Sequence, residues 1–403
     1  MTSAPRDFAD PGFLEGHINR TLAFYDPVAR DPAGGFFQNF RDDGSVFDAG
    51  SRHLVSSARF VFNYAMAARH FGRDDYRGWA AHGLDYLEAR HRRPGGGYAW
   101  TLDARGVTDA TNHCYGLAFV MVAGATALLA GLAAGRRTLE TAWDLMERHF
   151  WDAEHGLYKD EATADFGAIS PYRGQNANMH ACEALLWAFE ATGEQRFLDR
   201  AAMLADHVTR RQAALAGGLV WEHYRTDWSV DWDYNRDDPK HLFRPWGFQP
   251  GHQTEWAKLL LILERHAPRP WHLPTACRLF DRAVALAWDE AHGGLCYGVS
   301  PDGRICDGDK YFWVQAESFA AAKLLELATG DQRYGGWYRR LWQYSWDHMI
   351  DHRYGAWFRI LTRDNRKYDD QKSPLGKTDY HTMGACYEVI RALRLAGEVA
   401  TEG

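Results

Sequence analysis

Residues 34–37 read Gly34-Gly35-Phe36-Phe37, and a glycine followed by aromatic or bulky apolar residues returns five more times along the chain. The recurrences are Gly96-Gly97-Tyr98, Gly156-Leu157-Tyr158, Gly218-Leu219-Val220-Trp221, Gly294-Leu295-Cys296-Tyr297 and Gly355-Ala356-Trp357-Phe358. Leading glycines at 34, 96, 156, 218, 294 and 355 lie 62, 60, 62, 76 and 61 residues apart. A self-similar period of this length marks a repeat architecture. Several clusters run into an Asp/Gly turn, as in Arg41-Asp42-Asp43-Gly44, Asp103-Ala104-Arg105-Gly106 and Ser300-Pro301-Asp302-Gly303. Short aromatic runs around such turns read as β-hairpins.

Between hairpins lie two stretches of helical period. The one after each hairpin is small and apolar: Phe60 to Ala68, Leu117 to Ala134, Ala181 to Ala191, Ala316 to Ala328. The one before the next hairpin carries charge: Tyr76 to Arg92, Leu139 to Trp151, Arg196 to Gln212, Arg333 to His348. Helices apolar on all sides pack inside and amphipathic ones cover them. Six such pairs form a closed double ring, so the fold class is all-α, an (α/α)6 barrel with short β-hairpins in its loops. No linker or shift of composition divides residues 1–403, which read as one domain.

Composition excludes several other classes. Lys+Arg 46 against Asp+Glu 53 gives a net charge of −7, no footprint for nucleic acid or an anionic membrane. With 46% apolar and 25% charged residues the chain has globular proportions, not disordered ones. Leu117 to Gly135 runs 19 residues without a charge, long enough to span a bilayer. Its Ala/Gly richness places it inside a core instead. The six cysteines form no Cys-x-x-Cys pair and no apolar leader opens the chain, so the reading is a cytoplasmic protein with reduced thiols. Clustered zinc spacing, Gly-x-Gly-x-x-Gly and Gly-x-Ser-x-Gly are all absent, so neither a metal nor a cofactor is expected.

The step of 76 shows where extra chain was added: Thr226 to Gly251 has no helical period and is dense in Trp and Asp. A second long loop, Arg363 to Tyr380, precedes the sixth inner helix. Long loops in a compact fold are usually functional. Inner helices running in one sense bring their first turns to one face. The polar residues there are Arg52, Arg59, Asn112, His113, Tyr115, Asn176, His180, His252, Glu255, Trp313, Glu317, Tyr380 and His381. Burying these unpaired in an apolar layer would cost several kcal/mol, so a shared pocket is expected. His252 and Glu255 stand at i, i+3, a spacing that lets the carboxylate orient the imidazole. His53 and His113 repeat no pattern and read as packing or rim residues. Histidines, carboxylates, an arginine and aromatic walls suit a neutral polyol. Two imidazoles converging on one substrate point to proton removal beside a carbonyl, with Arg59 or His180 steadying the oxyanion.

Longer motifs carry a family resemblance. They are His53-Leu54 through Arg59, Asn176-Ala177-Asn178-Met179-His180, Trp221-Glu222-His223-Tyr224 and Asp233-Tyr234-Asn235. Pro239-Lys240-His241-Leu242-Phe243-Arg244, Pro250-Gly251-His252-Gln253-Thr254-Glu255-Trp256 and Tyr380-His381 complete the set. In these the chain resembles the N-acylglucosamine 2-epimerase superfamily, most of all its aldose–ketose isomerase branch. The resemblance implies metal-independent interconversion of D-mannose and D-fructose, with D-lyxose and D-xylulose as a further pair, through a cis-enediol. It implies His381 as the base at C2 and C1, and His252, steadied by Glu255, for ring opening and proton shuttling. Arg59, Tyr115, Asn176, His180, Glu255, Trp313 and Glu317 would hold the sugar. Arg52 to Arg59 lacks the Trp and Gln typical of the acylglucosamine epimerases, which points away from an N-acetylated substrate. A 2-epimerase is the nearest alternative. An (α/α)6 glycosidase using Glu255 and Glu317, or a non-catalytic sugar-binding protein, stands further off. The oligomeric state is left open.

Overall fold

Gly72, Gly193 and Gly330 each follow an apolar helix and take a left-handed φ of 65°, 72° and 71°, which reverses the chain into the next helix within a few residues. This turn joins an inner to an outer helix. The computed structural model describes residues 6–241 and 243–402; Leu242 of the motif above, and residues 1–5, lie outside the described residues. The inner helices are α2 (Leu54–Phe71), α4 (Cys114–Leu129), α6 (Gln175–Thr192), α9 (Pro250–His266), α11 (Phe312–Thr329) and α13 (Tyr380–Glu402). The outer helices are α1 (Pro11–Tyr25), α3 (Asp74–Tyr86), α5 (Gly135–Leu145), α7 (Gln195–Asp206), α10 (His272–Ala287) and α12 (Gln332–Tyr344), with one short turn α8 (Ala213–Leu215). Each inner helix packs on the next, α13 packs on α2, and α1 covers α13, so the ring closes through its two ends. The first outer helix precedes all the hairpins and is the partner of the last inner one.

The hairpins close a second ring. The extended residue just before each inner helix pairs with the following hairpin: Arg52 with Leu102, Asn112 with Ala162, Arg173 with Tyr224, Phe248 with Val299, and Lys310 with Leu361. Ser373 pairs with Phe40 and completes the circle. Buried amides fasten three hairpins to the inner helices. Asn178, Gln253 and Gln315 each accept from the N–H and donate to the C=O of one hairpin residue, Tyr158, Val220 and Leu295, at 2.7–2.9 Å. The loops of 226–251 and 363–380 thereby sit at the end of the barrel where the inner helices begin.

The apolar run Leu117 to Ala134, expected as one helix, ends at Leu129. Gly131 adopts φ 86° and turns the chain so that Gly135 can open α5 against α4. A Cβ on Gly124 would lie 2.6 Å from the Leu139 backbone nitrogen and 2.8 Å from the Gly135 oxygen, so these two helices meet backbone to backbone. No helix among the described residues is long and apolar enough to cross a membrane.

Gly124→Val should therefore force α4 and α5 apart. A loss of about 2–4 kcal/mol in denaturant unfolding is expected; an unchanged midpoint would mean that the contact is not tight.

Candidate active site

The first turns of the inner helices and the hairpin ring enclose a cup of about 130 Å³, room for a small polyol. Arg59, Tyr115, Asn176, His180, His252, Glu255, Trp313 and His381 all line it. Aromatic walls come from Tyr172, Tyr297, Tyr311 and Phe243, the last from the 226–251 loop.

His381, in the first turn of α13, is held from both sides. Its Nδ1 lies 2.7 Å from Glu317 Oε1, and its Nε2 lies 3.1 Å from Arg59 Nη2. A carboxylate takes a proton and a guanidinium gives one. The ring is therefore neutral, with hydrogen on Nδ1 and a lone pair on Nε2. Burial, then the Arg59 charge, holds its pKa well below the ordinary value of 6.5. Arg59 is fixed by Gly376 O and the Tyr115 hydroxyl, and its guanidinium lies 4.3 Å above the Phe119 ring. His180 repeats the arrangement: Nδ1 lies 2.9 Å from Glu183 Oε2, and its ring centroid is 6.1 Å from that of His381. Trp313 spans the remaining pair, 5.0 Å from the His252 ring and 5.8 Å from that of His381.

Two expected contacts take another form. Glu255 is not the partner of His252. The His252 Nδ1 lies 2.9 Å from Glu222 Oε2 and 3.0 Å from Gln175 Nε2, whereas both Glu255 oxygens are buried with no hydrogen-bond partner. The i, i+3 spacing lets the two side chains meet, but Glu222 on the adjoining hairpin reaches the imidazole first. Glu317, expected to hold the sugar, stands behind His381, with one oxygen on Nδ1 and the other on Lys258 Nζ. The cup itself reaches Glu255 but not Glu317.

Lys258 is the residue the sequence reading missed. Its buried ammonium bonds Glu317 and lies 4.0 Å from Glu183 Oε1, so one cation serves the carboxylates behind both imidazoles. Burial alone would lower its pKa, yet Glu317 and Glu183 hold it raised. Burial likewise favours a neutral Glu183, but the His180 hydrogen bond and Lys258 bring it down to about 2. Glu255, with no hydrogen-bond partner, is pushed well above 4.5 by burial and by the Glu317 charge against the pull of Lys258, which favours its neutral acid form. Glu255 lies within 4.8 Å of ligand atoms of His180 and Glu183 on one side, and of Glu317 and His381 on the other. Such clusters could hold a metal ion, but here Lys258 supplies their positive charge.

Other residues of the first turns are committed to structure. Arg52 pairs with Asp31 at 2.6 Å, and Asn112 bonds Arg93 and the backbone oxygens of Thr163 and Ala164. His113 stacks on Trp100 at 3.9 Å between centroids. His53 does reach the cup: it caps α2 through Val55 N, and its buried Nε2 has no partner. Asn176 Oδ1 is also buried, unpartnered and at the cup.

Residues 35–385 match the N-acylglucosamine 2-epimerase (GlcNAc 2-epimerase) family. The chain belongs to that family. Within the N-acylglucosamine 2-epimerase family it is 58% identical to a D-mannose isomerase of Marinomonas mediterranea over 389 residues, 96% of this chain and 99% of that one. A crystal structure of D-mannose isomerase superposes with a TM-score of 0.95 at 58% identity, covering 96% of this chain and 100% of the other. A cellobiose 2-epimerase from Spirochaeta thermophila DSM 6192 superposes at 0.83 with 21% identity over 97% and 99%, a likeness of fold. These structures share the (α/α)6 barrel, and the chain is an isomerase.

Glu222→Gln should remove the charge that orients His252 and lower kcat about 100-fold while the fold persists; full activity would discount the pairing. Glu255 gives a pH signature. Its folded pKa is above the unfolded one, so between the two values the folded chain keeps a proton the unfolded chain has lost, and stability falls as pH rises. Glu255→Gln lacks this penalty. Its stability relative to the parent should grow by up to about 1.4 kcal/mol per pH unit above 4.5, measured by denaturant unfolding at pH 5 and 7.5. A constant difference would show Glu255 ionised in the fold.

Proposed function

We propose that this chain interconverts D-mannose and D-fructose by proton transfer between carbons, with no metal and with residues 1–403 acting as one catalytic domain. The observation that carries the reading is the His381 ring: Nδ1 tied to Glu317, Nε2 beside Arg59 and facing the cup. This is a base left unprotonated at neutral pH, and its Nε2 is released for the sugar as the Arg59 guanidinium turns to the oxygen that gains charge.

The open-chain aldose offers a C2 proton made acidic by the C1 carbonyl. His381 Nε2 takes that proton, the C–H electrons form the C1=C2 bond, and the carbonyl pair moves onto O1. Arg59 steadies the resulting enediolate. O1 gains a proton, O2 gives one up, and the C2=O bond forms as His381 returns its proton to C1. His252, oriented by Glu222, opens the ring and moves protons between sugar oxygens. Asn176, His180 and Tyr115 hold hydroxyls, Trp313 covers the reacting end, and Glu255 donates as a neutral acid. Glu317 acts through His381. The D-mannose isomerase at 58% identity supports this choice of sugar.

A 2-epimerase would share the first step and return the proton to the opposite face of C2. The glycosidase reading loses support, because Glu317 is taken up by His381 and Lys258 and does not line the cup, so Glu255 and Glu317 do not face one substrate as a carboxyl pair.

Incubation with mannose in deuterated water, followed by NMR, should give fructose, carrying any solvent deuterium at C1; glucose without fructose would overturn the reading. His381→Ala should remove nearly all turnover, at least about 10³-fold, with circular dichroism unchanged, and activity should survive EDTA. A folded, active His381→Ala enzyme would refute the assignment.

A further inference from the structure

The hairpin ring repeats one position six times. Two residues before each paired hairpin residue (Phe40, Leu102, Ala162, Tyr224, Val299 and Leu361) stand Gln38, Trp100, Asp160, Glu222, Tyr297 and Arg359. The register is confirmed by backbone bonds that recur in step: Leu54 N to Trp100 O, Cys114 N to Asp160 O, Gln175 N to Glu222 O and Phe312 N to Arg359 O. Pro250 stands where the fifth such donor would be, opposite Tyr297. Symmetry thus turns all six side chains toward the end of the barrel where the cup opens.

Five of the six are engaged. Gln38 bonds Ser57 and the His53 N–H, Trp100 stacks on His113, and Asp160 accepts from Gly174 N. Glu222 orients His252, and Tyr297 stacks on Tyr311 at 3.7 Å. Arg359 is the exception: a half-buried guanidinium in the wall of the cup with no side-chain hydrogen bond, ion pair or ring contact among the described residues. Its electrostatic neighbours are the Tyr311 and Tyr297 phenols and the Asp369 carboxylate. Contacts run from His252 and His381 to Trp313, from Trp313 to Tyr297 at 6.0 Å, and from Tyr297 to Tyr311, so the two tyrosines that neighbour Arg359 in the cup wall are joined to the reacting histidines through Trp313.

We infer that Arg359 is a specificity-determining residue that donates hydrogen bonds to the hydroxyl-bearing tail of the sugar, the C6 hydroxymethyl group of a hexose. This rests on the isomerase reading and says which part of the substrate the sixth hairpin recognises. A planar fork of donors with no protein acceptor fits sugar hydroxyls. Of the other two cations in the cup wall, Lys377 is bonded to Asp379 and Trp357 O, and Arg59 to Gly376 O and the Tyr115 hydroxyl, so no second free charge among the described residues stands ready for a phosphate. Removing Arg359 leaves no protein group orphaned, so its truncation tests binding and not folding.

D-Lyxose is D-mannose without the C6 hydroxymethyl group. Arg359→Met and Arg359→Lys, checked by circular dichroism, should be assayed on both sugars. The preference for mannose, the ratio of the two kcat/KM values, should fall about 10-fold or more in Arg359→Met, through KM for mannose more than through kcat. Arg359→Lys, with a single flexible donor head, should fall between Met and the parent. A ratio changed less than twofold in both folded variants, or a loss confined to kcat, would overturn the inference. A parent enzyme that turns over neither sugar would instead overturn the isomerase reading.

Discussion

One ammonium group, Lys258 Nζ, holds the catalytic layer together. It lies fully inside the barrel, bonded to Glu317 and 4.0 Å from Glu183. A buried carboxylate without a positive partner protonates, and a protonated carboxyl no longer fixes the tautomer of a histidine. With Lys258 in place, Glu317 and Glu183 each grip an Nδ1, which fixes both rings at the cup and turns the Nε2 of His381 to Arg59. Removing one member of such a buried set typically costs about 3–5 kcal/mol, because the rest are left uncompensated. The same balance explains Glu255: with Lys258 and Arg59 matched by Glu183 and Glu317, a third negative charge has no offset, and the proton stays on.

The fold makes this arrangement possible through repetition. Inner helices deliver a polar first turn, while their small apolar bodies close the ring below it. Hairpins deliver one inward position per repeat and lock it by backbone pairing to the neighbouring repeat. Chemistry is thus assembled across repeats: the base from the sixth inner helix, its carboxylate from the fifth, the ammonium from the fourth, the guanidinium from the first. No two of these are close in the chain except through the circle.

The sequence showed the six-fold rhythm because a hairpin glycine and an apolar inner helix are local requirements, visible in any window of the chain. The length of α4 was misread because Gly131 and Gly135 look like more of the same small-residue run; only packing distinguishes a continued helix from a turn. The lining of the cup was legible as polar residues at helix starts. Pairings were less so. The His252–Glu255 spacing looked sufficient, but Glu222, thirty residues upstream in sequence, is nearer in space. His180 and Glu183 have the very spacing assumed for His252 and Glu255, and there it does make the bond. Lys258 was overlooked although a lysine set against Leu259-Leu260-Leu261-Ile262-Leu263 on an inner helix is itself a signal of a buried counter-ion. Arg359 carries no such mark, since its meaning comes only from the hairpin register.

The most direct test of this account is nitrogen-15 NMR of the His381 ring across a pH titration. The Glu317–Lys258 chain predicts a neutral imidazole with its proton on Nδ1, unchanged as the pH falls through 6.5, where a free histidine is half protonated. An imidazolium signal at that pH, or a proton resident on Nε2, would contradict it and remove the base from the proposed reaction.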